Sequence, residues 1–178
     1  MAGCGYLAVS PGGSGAGVLV LHAWWGLTDL FTGVCDRLTA AGFIAFVPDL
    51  YDGPTATTIE GAEQLMEASD EARSRAIAEA AVAYLRAQPG AQAGPLGAVG
   101  FSMGAGWAFA LSALRPDDLA AVRALEDQIR AAGREVAFHL YPGTRHWFVE
   151  DNRPDAYDAA AARLAWERTL RFLRAHLE

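Results

Sequence analysis

The stretch Ala98-Val-Gly-Phe-Ser-Met-Gly-Ala105, written AVGFSMGA, decides how the rest of the chain is read. Leu96 to Phe101 is apolar and short, as a buried strand is, and Ala105 to Leu114 has the composition of a helix. A sharp strand-to-helix turn crowds its own backbone, so the positions two before and two after its apex must be small. Here they are Gly100 and Gly104, and the apex is Ser102. Such a turn lifts a hydroxyl above the sheet edge and places it at a helix N-terminus, where backbone N–H groups stabilise a developing oxyanion. The competing reading is a glycine-rich turn in which Ser102 only caps the helix. The strand-then-helix context favours the nucleophile.

Working outward, the same alternation recurs. Val18-Leu-Val-Leu21 follows the turn-forming run Pro11 to Gly17 and reads as a buried strand. Thr28-Asp29 opens a helix with Leu30, Val34, Leu38 and Ala41 on one face, ending at Gly42. Phe43 to Val47 is a second buried strand, stopped by Pro48. Glu60 to Gln88 is helix-forming, in two pieces, ending at Pro89-Gly90. Val136 to Tyr141 reads as a further strand. Asp155 to Leu177 reads as one long amphipathic helix, with Tyr157, Ala161, Leu164, Leu170 and Leu173 toward the core. Strands apolar on both faces, alternating with helices, predict a mostly parallel sheet with helices on both faces: a three-layer α/β sandwich, one domain over residues 1–178.

Composition bounds the partners. A chain of 178 residues, 52% hydrophobic and 20% charged, buries an ordinary core. A net charge of -7, with no basic cluster to offset it, argues against nucleic acid or an anionic membrane as partner. The N-terminus has neither the basic region nor the apolar run of a signal peptide. Cys4 and Cys35 lack metal-like or redox-like spacing, which makes a reduced, cytoplasmic setting the simple expectation.

A serine nucleophile needs a base, and there are four histidines. His176 falls in the last turn of the terminal helix, on its solvated side. His139 falls inside the expected strand Val136–Tyr141. His22 ends the first buried strand, at the same sheet edge as Ser102, where it could line the site. His146 lies just past a strand end, in Tyr141-Pro-Gly-Thr-Arg-His-Trp-Phe148, and follows the serine in chain order, as hydrolases with this turn require. His146 is the expected base. The oxyanion donors expected are the backbone N–H groups of Met103 and Trp24, the latter in the loop His22-Ala-Trp-Trp-Gly26. Trp25, Trp147 and His22 are candidates for an apolar substrate pocket, although the two neighbouring tryptophans could equally roof the core.

Taken together, LHAWWGL (21–27), PDLYDG (48–53), GFSMGAG (100–106) and YPGTRHWFVEDNRPDAYDAAAARLAWERTLRFL (141–173) resemble the dienelactone hydrolase family of α/β-hydrolases. The resemblance spans nearly the whole chain. It implies a serine or cysteine nucleophile with a histidine base and an aspartate, no metal and no organic cofactor.

Four departures from the family pattern matter. Ser102 stands where the best-known members carry cysteine, and Ala23 where a glutamate often contacts that cysteine. Glu150 stands where lactone-cleaving members use an arginine to hold a substrate carboxylate, which makes an anionic dienelactone a poor substrate guess. The largest departure is a shortening. Family members carry an extra strand and the loop bearing the catalytic aspartate between the helix after the nucleophile and the helix before the histidine strand. In this chain Leu111 to Val122 runs directly into Arg123 to Ala132. Asp117 and Asp118 look like the first residues of a helix, and Glu126 and Asp127 like its solvated face. Glu135 precedes a strand, at the wrong sheet edge. Glu150 and Asp151 follow His146 closely enough to fold back. No carboxylate stands out as the triad acid.

The acid fixes the histidine tautomer and stabilises the imidazolium, so its loss lowers turnover by ~10⁴. Oxyanion stabilisation survives such a loss. Two readings therefore stand side by side: a serine hydrolase cleaving small esters, lactones or thioesters through an acyl-enzyme on Ser102, and a catalytically impaired relative that keeps the pocket for ligand binding or assembly. A natural deletion, an engineered one and a sequence lacking part of the natural chain are all compatible with the shortening. The smaller sheet would favour a homo-oligomer by exposing an edge or apolar surface.

Overall fold

Residues 5–113, 137 and 139–177 are described by the computed structural model. They divide into two compact units, one of residues 1–108 with 167–178 and one of residues 109–166.

The larger unit is built on a four-stranded sheet in the order β1-β3-β2-β4, where β1 is Gly5–Ala8, β2 Gly17–Leu21, β3 Ile44–Pro48 and β4 Gly97–Gly100. β2 pairs in parallel with β3 and with β4, and every residue of β2 and β3 is buried. Their apolar runs form strands because both faces are covered. β1 pairs antiparallel with β3, matching Tyr6 to Val47, so the sheet is mixed at that edge. β1 was not foreseen, since four residues with one buried position carry no periodic signal.

Helix α1, Asp29–Ala40, connects β2 to β3 and buries Phe31, Val34, Cys35 and Leu38. It ends where Gly42 takes φ 102, a left-handed conformation that glycine adopts without strain. Helices α2, Ile59–Ala68, and α3, Glu71–Arg86, connect β3 to β4. They are the two pieces expected between Glu60 and Gln88. The break falls at Ser69-Asp70, because the Asp70 carboxylate accepts from the N–H groups of Ala72 and Arg73 and starts a new helix. The crossover from β2 to β3 runs one way along the sheet and that from β3 to β4 the other. Right-handed connections therefore put α1 and α3 on opposite faces. Phe46 of β3 accordingly meets Tyr84 of α3, with ring centroids 4.7 Å apart.

Helix α4, Met103–Ala113, begins immediately after Ser102, two residues earlier than its sequence suggested. The last helix, α5, is Ala159–Leu177 rather than Asp155–Leu177. Pro154 and the turn that follows it delay its start. Tyr157 thus precedes it and is exposed, as is Leu164, while Leu173 is buried. In the larger unit Leu173 and Leu177 pack where a side chain on Gly97 would otherwise stand. A second correction concerns the strand expected at Val136–Tyr141. Residues 137 and 139–141 are in no strand, and Leu140 is 81% exposed. Alternating apolar residues make a strand only where a neighbour supplies ladder hydrogen bonds.

Candidate active site

The turn at Ser102 has the geometry its glycines anticipate. Phe101 N–H donates to the Leu21 carbonyl at 3.1 Å, carrying the β4 ladder up to the apex. Ser102 then takes φ 50, which a residue with a Cβ rarely adopts. The first turn of α4 closes at once, with Gly104 N–H on the Phe101 carbonyl and Ala105 N–H on the Ser102 carbonyl, each at 2.9 Å. A Cβ at Gly100 would collide with the Gly104 backbone, and one at Gly104 with the carbonyls of Leu21 and His22. Ser102 itself is exposed. The Met103 N–H, first of α4, lies at the positive, N-terminal end of the helix dipole.

Loops from two further strands end at the same edge. The register pairs Leu21 with Gly100, so His22 and Phe101 leave the sheet side by side. His22 is fully buried. Its Nδ1 lies 2.7 Å from the Ala23 carbonyl oxygen, which can only accept, so Nδ1 carries the proton. Its Nε2 accepts from the Leu50 N–H at 3.0 Å. Both ring nitrogens are thereby used inside the protein. Burial pushes its pKa below the usual imidazole value, against smaller upward effects of the Ala23 carbonyl and Asp49. The loop turns at Gly26, φ 83, whose N–H donates to Ala23. Trp24 is half-buried. Trp25 is only 3% exposed and accepts at its carbonyl from Ala56 N–H.

The loop after β3 is held by the buried Asp49, whose Oδ1 accepts from Tyr51 N–H at 3.0 Å and Asp52 N–H at 3.1 Å. This turn lets Asp52 adopt φ 61 and pair with Arg73 of α3. Tyr51 packs edge-on against His22, centroids 5.4 Å apart, and its hydroxyl donates to the Met103 sulfur at 3.2 Å. Tyr51 was missed as a candidate. The only sequence signal was its place in PDLYDG, directly after a buried strand.

In the smaller unit, His146 is exposed in a run of turns that follows Tyr141. Its ring packs edge-on against the half-buried Trp147 at 5.8 Å. The Arg153 guanidinium lies 5.0 Å from the Trp147 ring centre and its Nε is 3.2 Å from Glu150. Glu150 is 2% exposed, whereas Asp151 is exposed. The other acid candidates, Asp117, Asp118, Glu126, Asp127 and Glu135, lie outside the described residues. His139 is exposed, in no strand. His176 is exposed too, its ring stacked on Phe172 at 4.2 Å and its Nδ1 2.8 Å from that residue's carbonyl. Among the described residues no group of three or more His, Cys, Asp or Glu could hold a metal ion, and no helix is long and apolar enough to cross a membrane. Cys35 is on the buried face of α1, where burial and Asp36 push its thiol up to about 12.

The family model described as "Dienelactone hydrolase family" matches residues 4–124 and 116–177. The chain belongs to the dienelactone hydrolase family. That membership makes it a hydrolase of the carboxylic ester and lactone class. Among curated relatives, "Protein usf" of Aquifex pyrophilus is 28% identical over 216 aligned positions, covering 97% of this chain and 93% of the relative. A protein named "Putative carboxymethylenebutenolidase" in Aquifex aeolicus strain VF5 is 27% identical over 217 positions, covering 98% and 94%. Both alignments are longer than the 178 residues of this chain, so both relatives carry residues that it lacks. The two stretches matched by the family model join at 116–124, within the connection whose sequence is short for a dienelactone hydrolase. A crystal structure of a dienelactone hydrolase-like promiscuous phosphotriesterase from metagenomic libraries superposes with a TM-score of 0.85 at 19% identity. It covers 98% of this chain and 92% of that one, and the likeness is one of fold.

Proposed function

We propose that this dienelactone hydrolase family member is a serine hydrolase that cleaves small esters, lactones or thioesters through an acyl-enzyme on Ser102. The single observation that carries the reading is the exposed Ser102 at φ 50, between β4 and the first turn of α4. A hydroxyl held there at a conformational cost of about 1–3 kcal/mol is the arrangement of a nucleophile rather than of a helix cap, which has extended backbone.

In the proposed reaction His146 takes the Ser102 proton as the oxygen attacks the substrate carbonyl. The negative charge gathers on the carbonyl oxygen, where the amides of Met103 and Trp24 receive it. Collapse expels the alcohol or thiol, or opens the lactone, with His146 returning the proton to the leaving oxygen or sulfur. Water, activated by the same histidine, then releases the acid. Trp147 and the exposed side of Trp24 offer apolar surface for the substrate, and Trp25 supports the loop from the core. Glu150 is buried against Arg153 where lactone-cleaving members of the family use an arginine. That favours uncharged substrates over carboxylate-bearing ones.

The decisive experiment is labelling with a fluorophosphonate, read by intact-protein mass, with Ser102→Ala as control. Stoichiometric labelling that the substitution abolishes supports the reading. A folded chain that is not labelled overturns it.

A second reading is favoured by the residues that the relatives carry and this chain lacks. If they include the triad acid, the protein is an impaired relative that retains ligand binding or assembly. Saturable turnover of a p-nitrophenyl ester, lost on His146→Ala, excludes it.

A further inference from the structure

We propose that His22 is a positioning residue of the reaction, whose neutral ring bolts the loop carrying the Trp24 amide to the loop after β3 and so sets the oxyanion donors. The proposal rests on the Ser102 reading and deepens it.

The argument begins with what the ring touches. His22 is fully buried, and it alone is polar among the largest fully buried side chains of the described residues, so its hydrogen bonds explain its presence. One nitrogen is spent within its own loop, on the Ala23 carbonyl. The other receives Leu50 N–H, 28 residues away, across the gap between the β2 and β3 loops. Main-chain pairing between these two strands runs from Gly17 to Leu19 of β2, against Ile44 to Phe46 of β3, and so stops short of the loops. The imidazole thus continues the tie beyond the point where the ladder ends.

Two further contacts carry the same residue to the nucleophile. Its carbonyl oxygen lies against Gly104, with no room for a Cβ between them. Its ring supports Tyr51, whose hydroxyl holds the Met103 sulfur. Met103 and Trp24, the two proposed oxyanion donors, therefore share one neighbour. An oxyanion site works only when its donors are preset, and a misplacement of about 1 Å costs roughly 10²-fold in rate. Phe31 closes the ring from α1 at 6.0 Å. Asp49 and Tyr51 are the titratable groups facing it among the described residues, and Asp49 is already engaged by two backbone amides.

The tie requires the neutral tautomer with hydrogen on Nδ1. A second proton would place N–H against the Leu50 N–H. A glutamine oxygen can stand near the Nε2 position and accept the same bond. Asparagine is too short to reach it.

The test compares the wild-type chain with His22→Gln, His22→Asn and His22→Ala. The readouts are kcat and KM on p-nitrophenyl acetate, the rate of fluorophosphonate labelling, melting temperature, and hydrogen exchange at the Leu50 and Trp24 amides. The expected result is a fall in kcat of roughly 10²-fold for alanine and asparagine with KM nearly unchanged, faster exchange at Leu50 and Trp24, and recovery of most of the activity by glutamine. If alanine does not fold, asparagine and glutamine alone decide. Glutamine and asparagine equally slow, with equally lowered melting temperatures, would reduce His22 to a packing residue and overturn the proposal. So would wild-type rates in a folded alanine variant. A wild-type chain that reacts with neither reagent overturns the Ser102 reading instead. The exchange data then judge His22 alone, and unchanged protection at Leu50 and Trp24 in the variants refutes the bolt.

Discussion

The carbonyl oxygen of Leu21, the last residue of β2, occupies the space that a side chain on Gly104 would need. The obstacle is backbone at the end of a fully buried strand, so it cannot swing aside. Gly104→Ala is accordingly expected to lower stability by about 1–3 kcal/mol, the usual cost of overpacking. It also tilts the first turn of α4, so labelling of Ser102 should slow more than the melting temperature alone explains. Chemical denaturation alongside labelling kinetics checks both.

Removing the proposed base has a different signature. His146 is exposed, so His146→Ala should change stability by less than about 0.5 kcal/mol. Turnover of a short ester should nonetheless fall by three orders of magnitude or more, roughly the loss that follows removal of a triad member. Stopped-flow or steady-state kinetics with a melting curve separate the two effects.

Cys35 makes a prediction in the alkaline range. Its thiol stays protonated in the fold up to about 12, while the unfolded chain ionises near 9.0. The contribution is complete below pH 9, and stability falls as pH rises between those two values. The native protein should resist iodoacetamide at Cys35 at pH 8 and react once denatured, which peptide mass mapping would show.

His22 gives the opposite slope on the acid side. Its folded pKa lies below the ordinary value of 6.5. Below about pH 6.5 the unfolded chain gains a proton that the fold refuses. Its contribution is therefore full above that pH and declines as pH falls. Replacing His22 with glutamine should flatten this part of the stability–pH curve, measured by denaturation between pH 5 and 7.

Arg153 ties Glu150 to Trp147, next to the proposed base. Arg153→Ala leaves a carboxylate that is 2% exposed without this cation and removes a cation–π contact, together costing a few kcal/mol. Arg153→Met, which keeps the stem, should recover part of the packing but not the charge. Thermal denaturation of the two variants tests this order.

Much of this was legible before the structure. GFSMGAG announces its turn because sterics alone force glycine at 100 and 104, and apolar runs such as Val18–Leu21 admit no reading but a buried strand. What escaped had no local cause. β1 exists because β3 offers an edge, not because Gly5–Ala8 prefer to be extended. Helix α5 starts late because a proline-led turn precedes it, against a periodicity that runs on unbroken to Asp155. One of the two hydrogen bonds of His22 depends on Leu50, a residue distant in sequence. The smaller unit's acid candidates fall mostly outside the described residues, and no pattern near Ser102 could have supplied them.

The left-handed backbone at Ser102 also sets a temptation for the chain. Glycine would take the same conformation freely, releasing something near 1–2 kcal/mol that serine forgoes. Ser102→Gly should therefore melt higher than Ser102→Ala, and higher than the wild type. A lineage that no longer needed its hydroxyl could become sturdier through that one replacement alone.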